Sequence, residues 1–379
     1  HFELHAENVQ ILNSKYSYVD ENLDKKNVLV VDSLNIYANE LLIDDENIDI
    51  EIGSMKGYEQ RGIEIDNLST HFHYDPNKMN LVDMKLQTPG SFIDADLYFN
   101  YELSDFSDFE NLVQVEADFR ESTLSSNDLK AFYDGFGDDE LLSFQTKLTG
   151  TLNDFNLEGF RLQGLDRTEI YGDFQVKGSF SKEPDSFSLD ASFSDFNTNY
   201  YDMVNFLPDA LFGKLPETLR DFGSINMKGN TLVTNSSLDA DVYLNSQLGS
   251  AEADFILRNY NNSSASTYKG KLVFKNFNIG RLIDNKQLGK TSFNLNFDGG
   301  GFSREDLNTQ LKGGISKITY NNYTYSDIRV IGNLRNPLFN GYFVSDDPNL
   351  EMEFNGLADL SEDINVYDFE ASVEYADLN

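Results

Sequence analysis

The chain has 379 residues, with 64 acidic side chains against 29 basic ones and a formal net charge of −35. That balance argues against nucleic-acid binding, which needs cations to replace phosphate counterions, and against docking on an anionic bilayer through a basic patch. Cysteine is absent, which excludes disulfides, thiolate metal sites and cysteine nucleophiles, and no apolar run approaches the roughly 18 residues of a membrane-spanning helix.

Phenylalanine (30) and tyrosine (20) supply all the aromatics, and both favour strands. Segments in which apolar residues alternate with acidic, amide or hydroxyl residues recur in chain order. Ile93, Ala95, Leu97 and Phe99 come first, followed by Val115, Ala117 and Phe119. Leu189, Ala191 and Phe193 form the next set, then Leu238, Ala240, Val242 and Leu244, with Phe255 in the segment after. Phe293, Leu295 and Phe297 follow, then Leu350, Met352 and Phe354, and last Phe369, Ala371 and Val373. Successive side chains of a strand point to opposite faces, so each segment is predicted to build one apolar and one wet face. These residues are the candidate lining of a continuous apolar surface.

Helices are predicted to be short. Ser125 or Ser126 can cap a turn that holds Asp128, Leu129 and Phe132. Tyr200 to Phe222 is the longest helical candidate, broken by Pro208 and Pro216 and stopped at Gly223; Gly280 to Asn285 is a third short turn. Glycine-led turns, alternating strands and strand-to-helix passages recur in the same order with a period of roughly 75–100 residues. The predicted units are 1–114, 115–188, 189–267, 268–366 and an opening fifth, 367–379, each complete one with about five or six strands. A one-sided pattern can close as a sandwich of two sheets or as one sheet that curls round its apolar face. Without a clear linker between units, the expectation is all-β: one elongated, curled repeat sheet of roughly 20–28 strands with a few short helices.

Chemistry-bearing motifs are sparse. His71 and His73 stand two apart and share a face, as the start of a zinc site would, but no third ligand stands out nearby, and polar strand residues are the simpler reading. Asp44-Asp45-Glu46 and Asp138-Asp139-Glu140 lack the spacing of a calcium loop and read as acidic turns. Gly299-Gly-Gly301 reads as a hairpin turn, and neither a P-loop nor a nucleophile elbow is present. No catalytic residue, metal or cofactor is expected. The chain opens at His1 in mid-strand without Met and ends at Asn379 as another strand is completed, so it is read as an excised fragment of a longer protein.

Several runs carry a family resemblance. They are Phe277-Asn-Ile-Gly-Arg-Leu-Ile, Leu288-Gly-Lys-Thr-Ser-Phe-Asn-Leu-Asn-Phe-Asp-Gly-Gly-Gly, the stretch from Leu311-Lys-Gly-Gly-Ile to Gly332-Asn-Leu, Phe339-Asn-Gly-Tyr-Phe and Leu350-Glu-Met-Glu-Phe-Asn-Gly. With the segment from Asn67-Leu-Ser-Thr-His-Phe to Thr88-Pro-Gly-Ser, they resemble the TamB/AsmA-like family of bacterial envelope proteins, in the style of Bacteroidota members. The resemblance implies a taco-shaped β-groove lined by the apolar residues above, and a periplasmic protein anchored in the inner membrane by a helix outside this fragment. It also implies phospholipid acyl chains as cargo toward the outer membrane, and a TamA/BamA-type outer-membrane barrel as partner, reached through a region outside this fragment. Two other functions stay open: a periplasmic scaffold or chaperone for outer-membrane protein assembly and secretion, and a secreted calcium-dependent adhesin.

Overall fold

The structure, a computed structural model, describes residues 1–20, 27–60, 62–130, 139–181, 183, 186–206, 217–303, 305–335, 338–359 and 367–377. It divides into two units, His1–Lys182 with Tyr201–Leu215, and Glu183–Tyr200 with Pro216–Asn379.

The first unit holds β1 (Glu3–Asp20), β2 (Asn27–Asp44), β3 (Asn47–Glu59), β4 (Ile63–Asp75), β5 (Lys78–Gln87), β6 (Phe92–Asn100), β7 (Gln114–Ser125), β8 (Leu141–Gly150), β9 (Phe155–Gly164) and β10 (Thr168–Lys177). The second holds β11 (Ser188–Asn199), β12 (Ser224–Thr234), β13 (Ser237–Ser246), β14 (Gly249–Arg258), β15 (Thr267–Asn278), β16 (Leu288–Gly300), β17 (Asn308–Tyr320), β18 (Tyr323–Arg335), β19 (Leu338–Asp347), β20 (Leu350–Asp359) and β21 (Tyr367–Ala376). Within each unit every strand pairs antiparallel with the next in the chain, and the sheet is left open. The all-β class expected from alternation is therefore what the chain adopts.

Turn chemistry sets this meander. The β17–β18 hairpin turns through Asn321 (φ 48°) and Asn322 (φ 68°), left-handed positions that asparagine tolerates and that match the twist of the flanking strands. The ladders bend at bulges. Asp83 of β5 (φ 50°) donates its N–H to Asp96 Oδ1 at 2.7 Å, and Asn276 of β15 (φ 49°) donates to Ser292 Oγ at 2.9 Å. A side chain on the next strand thus satisfies the amide that each bulge leaves without a ladder partner.

Short helices sit between strands: a 3₁₀ turn at Leu103–Asp108 with α1 (Phe109–Leu112), α2 (Ser126–Leu129), α3 (Tyr200–Phe206), a 3₁₀ turn at Glu217–Phe222 and α4 (Ile279–Leu282). Ser125 caps α2 by accepting the Asn127 N–H at 3.3 Å. Phe132 lies outside the described residues, as does the Pro208–Pro216 break in the longest predicted helix, whose two ends are α3 and the Glu217–Phe222 turn. The turn ahead of β7, with Phe106 and Phe109 packed at 6.0 Å, was not expected from the sequence. Gly299 and Gly300, expected in a hairpin turn, instead extend β16, where Gly299 pairs with Tyr268 and Thr309.

From β7 onward, every fourth strand end is tied back to an earlier hairpin. Asp128, after β7, accepts hydrogen bonds from Thr88 Oγ1 (2.6 Å) and Ser91 Oγ at the β5–β6 turn. Asp202 accepts from Arg167 N (2.9 Å) and Thr168 Oγ1 (2.8 Å) at the β9–β10 turn. After β15, Asn278 N donates to Leu248 O (2.7 Å) at the β13–β14 turn. At the end of β19, Asp347 accepts from Tyr323 OH and Ser326 N, both 2.7 Å, beside the β17–β18 turn. The repeat carried by these ties is four strands long. The predicted units 1–114, 115–188, 189–267 and 268–366 hold six, four, four and six strands, so the expected five or six per unit is not uniform.

The fully buried core is small. In the second unit Leu248, Phe274 and Phe277 form a buried cluster under Phe222, Ile279 and Leu282, with Phe274 and Phe277 stacked at 4.1 Å. Among the described residues the largest fully buried side chains are Phe277, Leu248 and Val113, followed by serines. A sandwich would bury its facing Leu and Phe side chains from both sides.

Candidate functional site

The strand register decides which predicted residues share a face. In the second unit one row crosses the sheet through Val242, Ala253, Leu272, Leu295, Gly313, Val330, Phe343, Phe354 and Ala371, each directly opposite the next. The row on one side passes from Leu244 through Phe274, Phe293, Ile315 and Ile328 to Met352 and Val373. On the other side, Ala240, Phe255, Gly270, Phe297, Leu311, Gly332, Gly341, Gly356 and Phe369 form a third. Leu238 begins a fourth, and β11 joins these rows through Leu189, Ala191 and Phe193, opposite Val233, Thr231 and Gly229. Leu350 stands two residues before Met352 on β20 and shares its face. All seventeen predicted residues of this unit therefore lie on one face.

In the first unit Phe99, Leu97 and Ala95 lie opposite Val115, Ala117 and Phe119, and Ile93 lies opposite Leu86. These seven also share a face. Ala95 and Ala191 are fully buried, whereas most Leu and Phe of the rows are half-buried. On the last strand Phe369 and Val373 are 46% and 56% exposed. The face is thus apolar and only partly covered, and in the second unit its rows cross the sheet from β11 to β21.

Glycines recur opposite large side chains on this face. A Cβ at Gly270 would lie 2.3 Å from Asp254 O and 2.5 Å from Phe255 Cβ, so only hydrogen fits beside that ring. Such pairs let Phe255 and Phe297 flank a bare stretch of backbone between them. Sequence reasoning missed Leu272, Val330 and Phe343 because Val273, Ile331 and Val344 follow them and hide the alternation. It missed Leu311 and Ile315 because Gly313 and Gly314 interrupt the pattern.

The opposite face carries the charges. Arg120 donates to Asp94 (2.5 Å) and Asp96 (2.8 Å) across β6 and β7. His71 and His73 of β4 are bracketed by carboxylates: His71 lies 3.3 Å from Asp49 and 3.1 Å from Glu51, and His73 lies 3.0 Å from Asp49 and 3.4 Å from Asp75. The β3–β4 register supplies the acidic neighbours that the sequence did not reveal. Among the described residues, the donor atoms of His1, Asp44 and Asp45 are the ones that converge closely enough to hold a metal ion. Asp139 and Glu140 pin α2 instead, through Asn127 and Ser126, while Asp138 lies outside the described residues.

Two tyrosines and the Asp347 tie titrate away from their usual values. Burial pushes the Tyr101 hydroxyl up to about 12. The hydrogen bond to Asp347 raises Tyr323 to about 12. Burial alone would raise the Asp347 carboxyl, but hydrogen bonds from Asn349 N, Tyr323 and Ser326 outweigh it and hold the carboxyl below its usual value. Comparison of the chain with protein families, with curated proteins and with solved structures found no match in any of the three.

Proposed function

We propose that the apolar face shelters the acyl chains of phospholipids and lets them pass along it, without catalysis. The observation that carries this reading is the set of largely apolar rows from β11 to β21, interrupted by Thr231 and Ser345, mostly half-buried and, among the described residues, without the fully buried core of a sandwich. Burying one acyl CH2 contributes about 0.8 kcal/mol, so a partly sheltered tail is held well. Small residues and glycines between the rings leave the rows free of deep specific pockets, which suits a cargo that slides.

The resemblance to the TamB/AsmA-like family supports a periplasmic setting, an inner-membrane anchor and an outer-membrane barrel partner of the TamA/BamA type, both engaged through segments beyond this chain. No helix among the described residues is long and apolar enough to cross a membrane. A scaffold for outer-membrane protein assembly is the second reading, favoured by the open meander, whose outer strands can pair with an incoming strand.

Mass spectrometry of lipid that copurifies with the protein tests the first reading. Leu272→Glu with Leu295→Glu puts two charges in the central row and is expected to cut bound phospholipid at least fivefold. Unchanged lipid in a folded double variant would contradict it.

A further inference from the structure

The charge of the chain is not uniform. Residues 267–335, which span β15 to β18, hold eleven of the 29 basic side chains and only five of the 64 acidic ones. On a chain of net charge −35, this stretch is locally positive. Screening limits the reach of the distant acid to about 10 Å, so a ligand on these strands meets the local field.

Five of these cations line the polar face, opposite the apolar rows: Lys269, Lys271, Lys275, Lys312 and Arg329, of which Lys275 is held by Glu252 and Arg329 by Asp346. Lys271 lies opposite Asp254 and Asn296, and Lys312 lies opposite Asn296 and Ile331. Neither lysine forms an ion pair among the described residues, whereas Lys269 is held by Asp298 at 2.9 Å. A trough of about 760 Å³ crosses β14 to β18 at this place, with Lys269, Lys271 and Lys312 in its lining. A second of about 650 Å³, with Lys275 and Arg329, lies beside it on β15 to β19. Five strands about 4.8 Å apart give the first trough a length of about 19 Å across the sheet.

We infer that this trough binds an acidic glycan, a linear sugar chain that carries carboxylates. The lysines match the carboxylates; Asn296, Gln310 and Asn333, also in the lining, offer amides to hydroxyls. With Asp298 engaged by Lys269, Asp254 is the lining carboxylate that serves as a hydroxyl acceptor, a role for which a plain polyanion has no use. The lining's aromatic rings, Phe255 and Phe297, belong to the apolar rows, so within the lining itself lysines and amides, not rings, face the ligand; Tyr342, a ring on the polar face, lies outside the lining, opposite Ile331 on the neighbouring strand. An acidic protein surface, including the acidic face of a second copy, would lie flat on the sheet rather than enter a trough. The site is independent of the lipid reading, because it uses the other face.

The test is fluorescence anisotropy with labelled oligogalacturonate and its methyl-esterified form, against the 379-residue chain. Wild type and Lys78→Gln, a lysine on another strand, are expected to bind the acid form. Lys271→Gln with Lys312→Gln is expected to bind at least tenfold more weakly with its circular dichroism unchanged, and the methyl ester is expected to bind at least tenfold more weakly than the acid. Raising salt from about 0.05 to 0.5 M should weaken wild-type binding about tenfold or more. Equal binding of the methyl ester, or of the double variant, would overturn the inference. So would absence of oligogalacturonate binding, including the case in which sedimentation shows that the two lysines drive self-association, or that they bind vesicles of phosphatidylglycerol. Leu272→Glu with Leu295→Glu should leave glycan binding intact, which separates this result from failure of the lipid reading.

Discussion

All nine ladders of the first unit, from β1–β2 to β9–β10, contain a register shift, whereas six of the ten in the second run without one. A bulge adds a residue to one strand, bends it and increases the local twist. The second unit therefore keeps straight apolar rows across many strands, while the first breaks its rows at intervals and staples several of the breaks with a side chain, as Asn35, Asp96 and Asp173 do. Strict alternation and long ladders go together, and the part of the sheet best suited to a continuous surface is the part with fewest bulges.

The largest expected contrast lies in the packed ends. Phe277→Ala removes a buried ring that stacks on Phe274, and should cost about 3–5 kcal/mol in urea unfolding of the second unit. Phe106→Ala in the first unit removes a ring that is 46% exposed, set edge-on to Tyr101, and should cost about 1 kcal/mol. Equal losses would show that the Phe277 cluster and the turn ahead of β7 are packed alike. Next comes Gly270→Ala in a straight ladder. Its methyl would overlap Asp254 O and Phe255, and a loss of about 2 kcal/mol is expected by the same measurement.

The buried strand-end ties differ in the same sense. Asp347→Asn leaves the donors around a 2%-exposed carboxylate poorly matched, for about 1–3 kcal/mol at neutral pH. Because the folded state holds this carboxyl below the usual 3.8, its contribution is complete above that pH and is lost as pH falls through the lower folded value. The gap in melting temperature between wild type and variant should therefore be constant from pH 5 to 8 and close below about pH 4. Asp75 of the first unit is held low chiefly by the Asn77 N–H, and more of it is exposed, so Asp75→Asn should show the same sign with a smaller gap. Smallest is Arg120→Gln, at about 0.5–1 kcal/mol, since a half-exposed pair with Asp94 and Asp96 is screened by solvent and salt.

What could be read from the sequence follows the same division. Seventeen of the 24 residues named from alternation lie in the second unit, and the register places them on one face. Alternation yields no lining residue before Ile93, because bulges at Asn13, Ser33, Glu40 and Asp83 disrupt period two in β1, β2 and β5. Alternation reports which residues share a strand face but not which strands are neighbours, so the carboxylates around His71 and His73 needed the register. The basic stretch of β15 to β18 was in plain view, yet the total of −35 argued against any basic patch; a net charge averages over faces that a ligand meets one at a time.

The most direct test of the apolar face is site-specific photo-crosslinking in cells. A photoreactive residue replaces Leu295, in the central apolar row, or its neighbour Asn294, on the opposite face. The account predicts phospholipid adducts at position 295 and none at 294. Adducts at neither position, or protein adducts alone, would contradict a lipid-carrying face and leave the scaffold reading in its place.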